Sequence, residues 1–222
     1  MITDDEIIQN SIQYLNQNKK AFLANYTSGI SATDDKVAFF TAGMSGVGKT
    51  ELAIFLKERN PNLLHIDTDE IREFFRDIGY NGNNASLYQK VASRGFSELF
   101  SYALKNNLSL ILDSNFANIN IAIQNIERLL KKEYTVNILY LYNYPEDCYE
   151  YATRRELVTH RKVPKDVFIR SNINSYKTVI GIKEMFKNKV ILEFADARKD
   201  GSIYYDIEAS FLKELIGEYF DT

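Results

Sequence analysis

The sequence predicts an α/β fold in which a parallel β-sheet is flanked by helices on both faces, the doubly wound arrangement. Two observations lead to this prediction. Short apolar runs typical of buried strands alternate with longer amphipathic runs typical of helices. The first strand, 37–41, leads directly into a glycine-rich turn followed by a helical pattern, which is how a phosphate-binding α/β unit begins. Right-handed crossovers between such strands make the sheet parallel.

Each element rests on its local pattern. Residues 3–25 place apolar side chains at helical spacing behind Thr3, with Glu6 three positions later, which predicts one N-terminal helix. Apolar, β-prone runs predict strands at 37–41, 63–66, 108–112, 135–142 and 190–194. Amphipathic runs predict helices at 49–59, 71–78, 86–105, 119–132, 165–186 and 207–220, with another opening at Pro145 and a turn at 199–202.

The turn after the first strand carries the clearest motif. It reads Gly43-Met44-Ser45-Gly46-Val47-Gly48-Lys49-Thr50, the G-x-x-x-x-G-K-T pattern of a Walker A loop. Its glycines let backbone N–H groups surround phosphate oxygens, Lys49 can reach the β and γ phosphates, and the Thr50 hydroxyl can bind Mg²⁺. The sequence therefore predicts a P-loop NTPase fold that binds a nucleoside triphosphate with Mg²⁺.

The length and the absence of an internal repeat or low-complexity linker predict one P-loop kinase-sized domain over all 222 residues. We expect an N-terminal helical extension at 1–30, a nucleotide-binding core at 37–195 and a C-terminal helix at 196–222.

The composition narrows the class of function. A net charge of −3 argues against a general nucleic-acid coat protein, whose affinity comes from an excess of Lys and Arg. The single Cys148 excludes an internal disulfide and a Cys-rich zinc site. An acidic N-terminus and the lack of a membrane-length apolar run lead us to expect a cytoplasmic protein without a signal peptide or a membrane partner.

Carboxylates follow the second predicted strand, where an acceptor hydroxyl would lie in a doubly wound sheet. We favour Asp69 as the general base, with Asp67 assisting Mg²⁺ or the acceptor; alternatively, these residues only cap the next helix. Arg72, three residues after Asp69, could hold the acceptor or could be an ordinary surface arginine.

Asp113 follows the predicted strand 108–112, of whose five residues four are apolar, as the Mg²⁺-binding carboxylate of a Walker B motif follows an apolar strand, and it could equally bind the acceptor. Ser114 and Asn115 add hydrogen-bonding groups there, so we assign Asn115 to the acceptor site.

A basic segment follows the helix that opens at Pro145. Its guanidinium groups could close over the transferred phosphoryl group as a helical lid; alternatively, they form a solvated face. The segment comprises Arg154, Arg155, Arg161, Lys162 and Lys165. The two histidines receive no role: His65 is interpreted as a core or strand-end residue and His160 as a surface residue.

These residues together resemble the zeta toxin family of P-loop kinases over about residues 37–195. The resemblance rests on the loop 43–50, the stretch Ile-Asp-Thr-Asp-Glu-Ile-Arg at 66–72, the acidic strand end at Asp113, and the segment from Arg155 to Pro164. The Asp-x-Asp-x-x-Arg and Arg-x-Val-Pro pieces are more specific than the phosphate loop, which many nucleotide-binding families share.

The resemblance implies a kinase that uses ATP or GTP and Mg²⁺ to phosphorylate the 3′-hydroxyl of the amino sugar in UDP-N-acetylglucosamine, and that a small helical antitoxin inhibits. It makes Lys49 the phosphate lysine, Thr50 the Mg²⁺ ligand, Asp69 the base, and Arg155 and Arg161 the lid arginines. At 113–115 the chain has Asp-Ser-Asn where a zeta toxin typically has Glu-Gly-Thr, so the acceptor could be another nucleotide sugar.

Two alternatives stay open. The Asp-x-Asn strand end and the Asp69-to-Arg72 stretch also look like polynucleotide kinases, which phosphorylate 5′-hydroxyls of nucleic acid. A nucleotide-hydrolysing switch is the third possibility, although it would not need the Asp67 and Asp69 pair.

Overall fold

A six-stranded sheet organises the fold in the computed structural model, which describes residues 3–159, 164–198 and 201–220. The strands are β1 Val37–Ala42, β2 Leu64–Asp67, β3 Leu110–Asp113, β4 Thr135–Tyr142, β5 Ile191–Asp196 and β6 Ser202–Tyr204. The α-helices are α1 Asp4–Gln17, α2 Lys19–Thr27, α3 Lys49–Arg59, α4 Thr68–Glu73, α5 Ala85–Lys105, α6 Ile119–Leu130, α7 Pro145–Thr159, α8 Lys165–Phe186 and α9 Ala209–Ile216. Short 3-10 helices follow at Arg76–Ile78, Lys187–Lys189 and Gly217–Tyr219.

The strand order creates a crevice at one edge of the sheet. The strands lie in the order β2-β3-β1-β4-β5-β6, and the first five are parallel. From β1 the chain first passes to β2 and β3, which lie on one side of β1 in the sheet. It then crosses to β4 on the other side of β1, so the direction of winding changes beside β1. Ligands of open α/β sheets bind where this change occurs, at the carboxyl ends of the strands.

The core lies between the sheet and the helices on its two faces. Strands β3 and β4 are buried along almost their full length, as expected for a parallel sheet that is covered on both sides. On one face α1, α2 and α4 pack against α5. Gly95 of α5 permits this close approach, because a Cβ there would lie 2.9 Å from side-chain atoms of Ile71 and Phe22.

The N-terminal segment differs from its prediction. It forms two helices, α1 and α2, where the apolar spacing predicted one. The break is at Asn18, whose backbone N–H and side-chain amide both donate to the Tyr14 carbonyl oxygen and end α1. Apolar periodicity does not detect such a break, because the local hydrogen bonds of one Asn side chain compete with the helix.

The C-terminal region also differs. Strand β6, which was not predicted, begins at Ser202, the last residue of the turn predicted at 199–202, and pairs antiparallel with β5 at the edge of the sheet. Residues 199 and 200 of that predicted turn lie outside the described residues. The ring of Tyr204 stacks on Phe194 of β5 at a centroid distance of 5.8 Å. The helix predicted at 207–220 is shorter, because α9 ends at Ile216 and continues as a 3-10 turn. In the described part of the chain, no helix combines the length and apolar character needed to cross a bilayer.

Candidate active site

The glycine-rich loop lies at the carboxyl end of β1, where backbone sterics require glycine. Gly43 and Gly46 have φ angles of 132° and 81°, outside the range of most L-residues. A Cβ on Gly43 would lie 2.4 Å from the Leu141 carbonyl oxygen, and one on Gly46 would lie 2.2 Å from that of Cys148. The loop therefore packs directly against β4 and α7. Its first N–H, on Gly43, donates to Ser175 Oγ of α8 at 3.0 Å.

Lys49 begins α3 and turns back over the loop. Gly48 is the N-cap, with a φ of 100°, so the free N–H groups of α3 face the loop. Lys49 Nζ donates to the Met44 carbonyl oxygen at 2.7 Å. Burial lowers the pKa of Lys49 to about 8, although the charge of Asp113 opposes this shift. An ammonium held in this way is suited to an anionic ligand that replaces the carbonyl oxygen.

Asp113 is attached to the end of β1 by a short hydrogen bond. Its Oδ1 accepts from Thr41 Oγ1 at 2.6 Å, and the same hydroxyl accepts from the Ser114 N–H at 3.1 Å. The carboxylate is only 5 % exposed. Burial would raise the pKa of Asp113, but the neighbouring His65 ring and Thr41 hydroxyl together hold it below its ordinary value. Asp113 is therefore an ionised, oriented carboxylate beside Lys49.

Asp67 lies next to Asp113 across the strand pair, because the two residues are register partners of β2 and β3. Asp67 caps α4, its Oδ1 accepting from the Asp69 N–H at 2.8 Å. Burial and the charge of Asp69 raise the pKa of Asp67 to about 6. Asp67 therefore caps α4, as the alternative interpretation expected. The Asp67 carboxylate also lies at the crevice.

Asp69 and Arg72 form an ion pair on α4, with Arg72 Nη1 at 2.6 Å from Asp69 Oδ1. Arg72 is 2 % exposed, so the interpretation as an ordinary surface arginine is wrong. Its Nη2 also donates to Gln89 Oε1 of α5. Gln89 was not predicted, since a lone polar residue on a helix carries no motif. The pair fixes the Asp69 carboxylate through a buried guanidinium.

His65 is buried in β2, as the interpretation as a core or strand-end residue expected, but its contacts with the site were not predicted. It is 4 % exposed, with Nδ1 at 3.4 Å from Glu70 Oε2 and Nε2 at 3.6 Å from Asp113 Oδ2. Burial alone would lower the pKa of His65, but these two carboxylates outweigh it and raise the pKa to about 9. The available signal was the strand period: His65 and Asp67 are two apart in β2 and share one face of the sheet.

The remaining predicted residues lie around this centre. Asn115 Nδ2 donates to Ser171 Oγ of α8 at 2.6 Å, which connects the segment after β3 to α8. Arg155 is exposed on α7, and its charge contributes to the lowered pKa of Lys49, so it lies within electrostatic range of the loop. Exposed Arg154 pairs with Glu150 at 2.5 Å. Lys165 is exposed at the start of α8. Arg161, His160 and Lys162 lie outside the described residues.

The residues at the crevice fit Mg²⁺. Hard divalent cations bind oxygen, and Mg²⁺ usually takes one or two protein ligands together with phosphate oxygens. Asp113 Oδ2 is a buried carboxylate oxygen that makes no hydrogen bond. Thr50 supplies a hydroxyl in the first turn of α3. Within the described ranges, no group of three or more His, Cys, Asp or Glu side chains is arranged to hold a metal ion.

Known proteins share both the sequence pattern and the fold of this chain. A family model described as Zeta toxin matches residues 23–210. No curated protein matches the chain. Among solved structures, the PezAT chromosomal toxin-antitoxin system of Streptococcus pneumoniae is similar at a TM-score of 0.70, with 17% identity over 93% of this chain and 87% of that chain.

Two further structures share the fold. The AvrRxo1-ORF1:-ORF2 complex with ATP has a TM-score of 0.65 and 11% identity over 95% of this chain and 71% of that chain. A proposed kinase from Chloroflexus aurantiacus has a TM-score of 0.54 and 13% identity over 83% of this chain and 98% of that chain. At these identities the likeness is one of fold, and it agrees with the predicted α/β P-loop architecture.

Proposed function

This chain belongs to the zeta toxin family, as its sequence predicted, and from that premise we propose that it transfers the γ-phosphoryl group of ATP or GTP to a hydroxyl of a small acceptor. We propose a nucleotide sugar, UDP-N-acetylglucosamine or a related compound, as the acceptor. The observation that carries the proposal is the meeting of Lys49, Asp113 and the Asp69–Arg72 pair at the carboxyl ends of three adjacent strands, or directly after them.

The phosphate loop and Lys49 form the donor side. The loop N–H groups and the start of α3 face the position of the polyphosphate, and anions bind favourably at such a helix terminus. Lys49 Nζ, now on the Met44 carbonyl oxygen, would move to phosphate oxygens. Thr50 and Asp113 would hold Mg²⁺, which neutralises phosphate charge when bound. Arg155, and Arg161 if the family role applies, would add charge from the lid.

Helix α4 forms the acceptor side. Asp69 would accept the hydroxyl proton as the acceptor oxygen attacks the γ-phosphorus, and the bond from that phosphorus to the β,γ-bridging oxygen would break to release ADP or GDP. The buried Arg72 holds the Asp69 carboxylate in one orientation at 2.6 Å. Asp67 and Asn115 would hydrogen-bond an acceptor rich in hydroxyl groups, and Asp113 would do so in the alternative to its role as a Mg²⁺ ligand. Asp113 is one methylene shorter than the family's Glu, and Asn115 has an amide where the family's Thr has a hydroxyl, so both would change how the sugar is held.

We also propose an antitoxin partner. The solved relatives PezAT and AvrRxo1-ORF1:-ORF2 are described as a toxin-antitoxin system and a two-component complex. A small helical protein that covers the phosphate loop would keep such a kinase inactive. Nucleic acid becomes a partner only if the acceptor is a 5′-hydroxyl.

The test is transfer of labelled γ-phosphate from ATP to UDP-N-acetylglucosamine and related nucleotide sugars, to a 5′-hydroxyl oligonucleotide, and to water. We expect labelled nucleotide sugar, no transfer by Lys49→Ala, and a loss of at least about 100-fold in Asp69→Asn with nucleotide binding retained. Asp77→Asn makes the same chemical change at an exposed position after α4 and should remain active.

The outcomes separate the candidates. A labelled oligonucleotide would identify a polynucleotide 5′-hydroxyl kinase, and release of phosphate alone would indicate a hydrolysing switch. A fully active Asp69→Asn protein would remove Asp69 as the base.

A further inference from the structure

We infer that His65 is a positioning residue that holds the Asp113 carboxylate on the nucleotide side of the site and connects it through Glu70 to helix α4. The inference deepens the proposed function, because it concerns how the same site binds magnesium nucleotide. It assigns a role to a residue without a motif, on the basis of contacts that the fold creates between four separate elements.

The contacts form one continuous chain across the sheet. Thr41 of β1 donates to Asp113 Oδ1 of β3 at 2.6 Å. On the other side of the carboxylate, Asp113 Oδ2 lies 3.6 Å from His65 Nε2 of β2. The second ring nitrogen, Nδ1, lies 3.4 Å from Glu70 Oε2 of α4. The strand that enters the phosphate loop is thereby linked to the helix that carries Asp69.

The position is one where an apolar residue would serve the fold better. His65 is flanked in β2 by Leu64 and Ile66, both fully buried, and its register partner in β3 is the buried Ile111. A buried polar side chain without full hydrogen bonding destabilises a protein, whereas Val or Ile would pack here without that cost. Neither His65 Nε2 nor Asp113 Oδ2 makes a hydrogen bond within the described structure.

This arrangement explains what the ring can do for Asp113. With Oδ1 bound to Thr41, Oδ2 is the oxygen of this carboxylate that makes no hydrogen bond, and the imidazole faces that atom. Glu70 on the opposite side holds the ring in one orientation, since each nitrogen faces a carboxylate. Groups that orient a metal-binding side chain are worth about 10–100-fold in metal affinity or activity when they are removed.

Two conservative substitutions separate the two ends of the ring. The side-chain nitrogen of Gln can take the place of Nε2, and that of Asn can take the place of Nδ1. His65→Gln therefore keeps a donor towards Asp113 and loses the one towards Glu70, whereas His65→Asn does the reverse. A role limited to filling space would make the two variants equal.

The experiment measures binding of a fluorescent, non-hydrolysable ATP analogue with and without Mg²⁺, and needs no acceptor. We expect the gain in affinity that Mg²⁺ provides to fall about 10–100-fold in His65→Asn and to be largely restored in His65→Gln. Glu70→Gln should give a smaller loss. The control Glu73→Gln changes another half-exposed carboxylate of α4 and should bind as wild type does.

Equal losses in the Asn and Gln variants, or no loss in either, would overturn the inference and leave the kinase proposal intact. If His65→Asn does not fold, as judged by circular dichroism, Glu70→Gln decides the matter, because its side chain is half exposed and its removal leaves the core unchanged. In that case, wild-type Mg²⁺ dependence in Glu70→Gln overturns the inference. A wild-type protein that binds no magnesium nucleotide would overturn both proposals.

Discussion

The hydroxyl of Thr41 offers a direct measure of how strongly the site is held together. Thr41 is fully buried, donates to Asp113 Oδ1 at 2.6 Å and accepts from the Ser114 N–H at 3.1 Å. Thr41→Val replaces the hydroxyl with a methyl group of nearly the same shape. A hydrogen bond to a charged group contributes about 1.5–3 kcal/mol to the free energy of unfolding. Removing the hydroxyl also leaves its buried partners unpaired, which adds to the destabilisation. We therefore expect Thr41→Val to lower the free energy of unfolding by about 3 kcal/mol.

The control is Thr41→Ser, which keeps the hydroxyl and loses one buried methyl group, a change of about 1 kcal/mol. Denaturant unfolding at pH 7 measures both variants. For a chain of this length the Thr41→Val loss corresponds to a Tm about 6–12 °C lower. If Thr41→Val proves as stable as Thr41→Ser, the hydrogen bond to Asp113 contributes little and our account of the site is wrong.

The pH dependence provides an independent check. Burial would raise the pKa of Asp113, yet the contacts of the ionised form with His65 and Thr41 leave it below its ordinary value in the folded protein. A carboxyl of this kind stabilises the fold above its unfolded pKa of about 4, and the contribution is lost as pH falls through the folded pKa. The difference in the free energy of unfolding between wild type and Thr41→Val should accordingly reach its full value at pH 7 and be smaller below pH 4.

Two further predictions concern the phosphate loop. The pKa of Lys49 is lowered to about 8, so near pH 8 about half the molecules carry a neutral amine, and a polyphosphate that favours the ammonium should draw in protons. Calorimetry of ATP binding at pH 8, in buffers of different ionisation enthalpy, should show this uptake in wild type and none in Lys49→Met; uptake that persists in the variant would locate the proton elsewhere. Gly46→Ala should lower stability by several kcal/mol in denaturant unfolding and weaken ATP binding, because its Cβ would lie 2.2 Å from the Cys148 carbonyl oxygen. Gly29→Ala has a similar φ of 78° and nothing within 4 Å, so it should cost about 1–2 kcal/mol; equal losses in both would mean that backbone strain alone accounts for Gly46.

Much of the fold could be predicted because the patterns involved are local. The loop 43–50 is recognisable since its glycines, Lys49 and Thr50 act within one strand-turn-helix unit. Strand and helix periods placed most elements to within a few residues. The break at Asn18 and strand β6 were missed, since the first depends on one side chain's hydrogen bonds and the second on pairing with β5.

The carboxylates of the candidate site could be predicted from the sequence, but the residues that contact the site's side chains could not. Acidic residues at predicted strand ends can be recognised as candidate site residues, because parallel strands end at a common edge where ligands bind. The neighbours that orient them come from distant positions: Gln89 on α5 meets Arg72, and Ser171 on α8 meets Asn115. No spacing in the sequence relates these pairs.

The sequence by itself determined the phosphate loop, the alternation of strands and helices, and the family, because each is recognised from short local patterns, in the case of the family from several of them in a fixed order. The tertiary structure decided the order of the strands, and with it the contacts of His65. Only when β3 lies between β1 and β2 does Asp113 have Thr41 on one side and His65 on the other. An interaction between three strands depends on which of them are neighbours, and that is settled by how the whole chain packs.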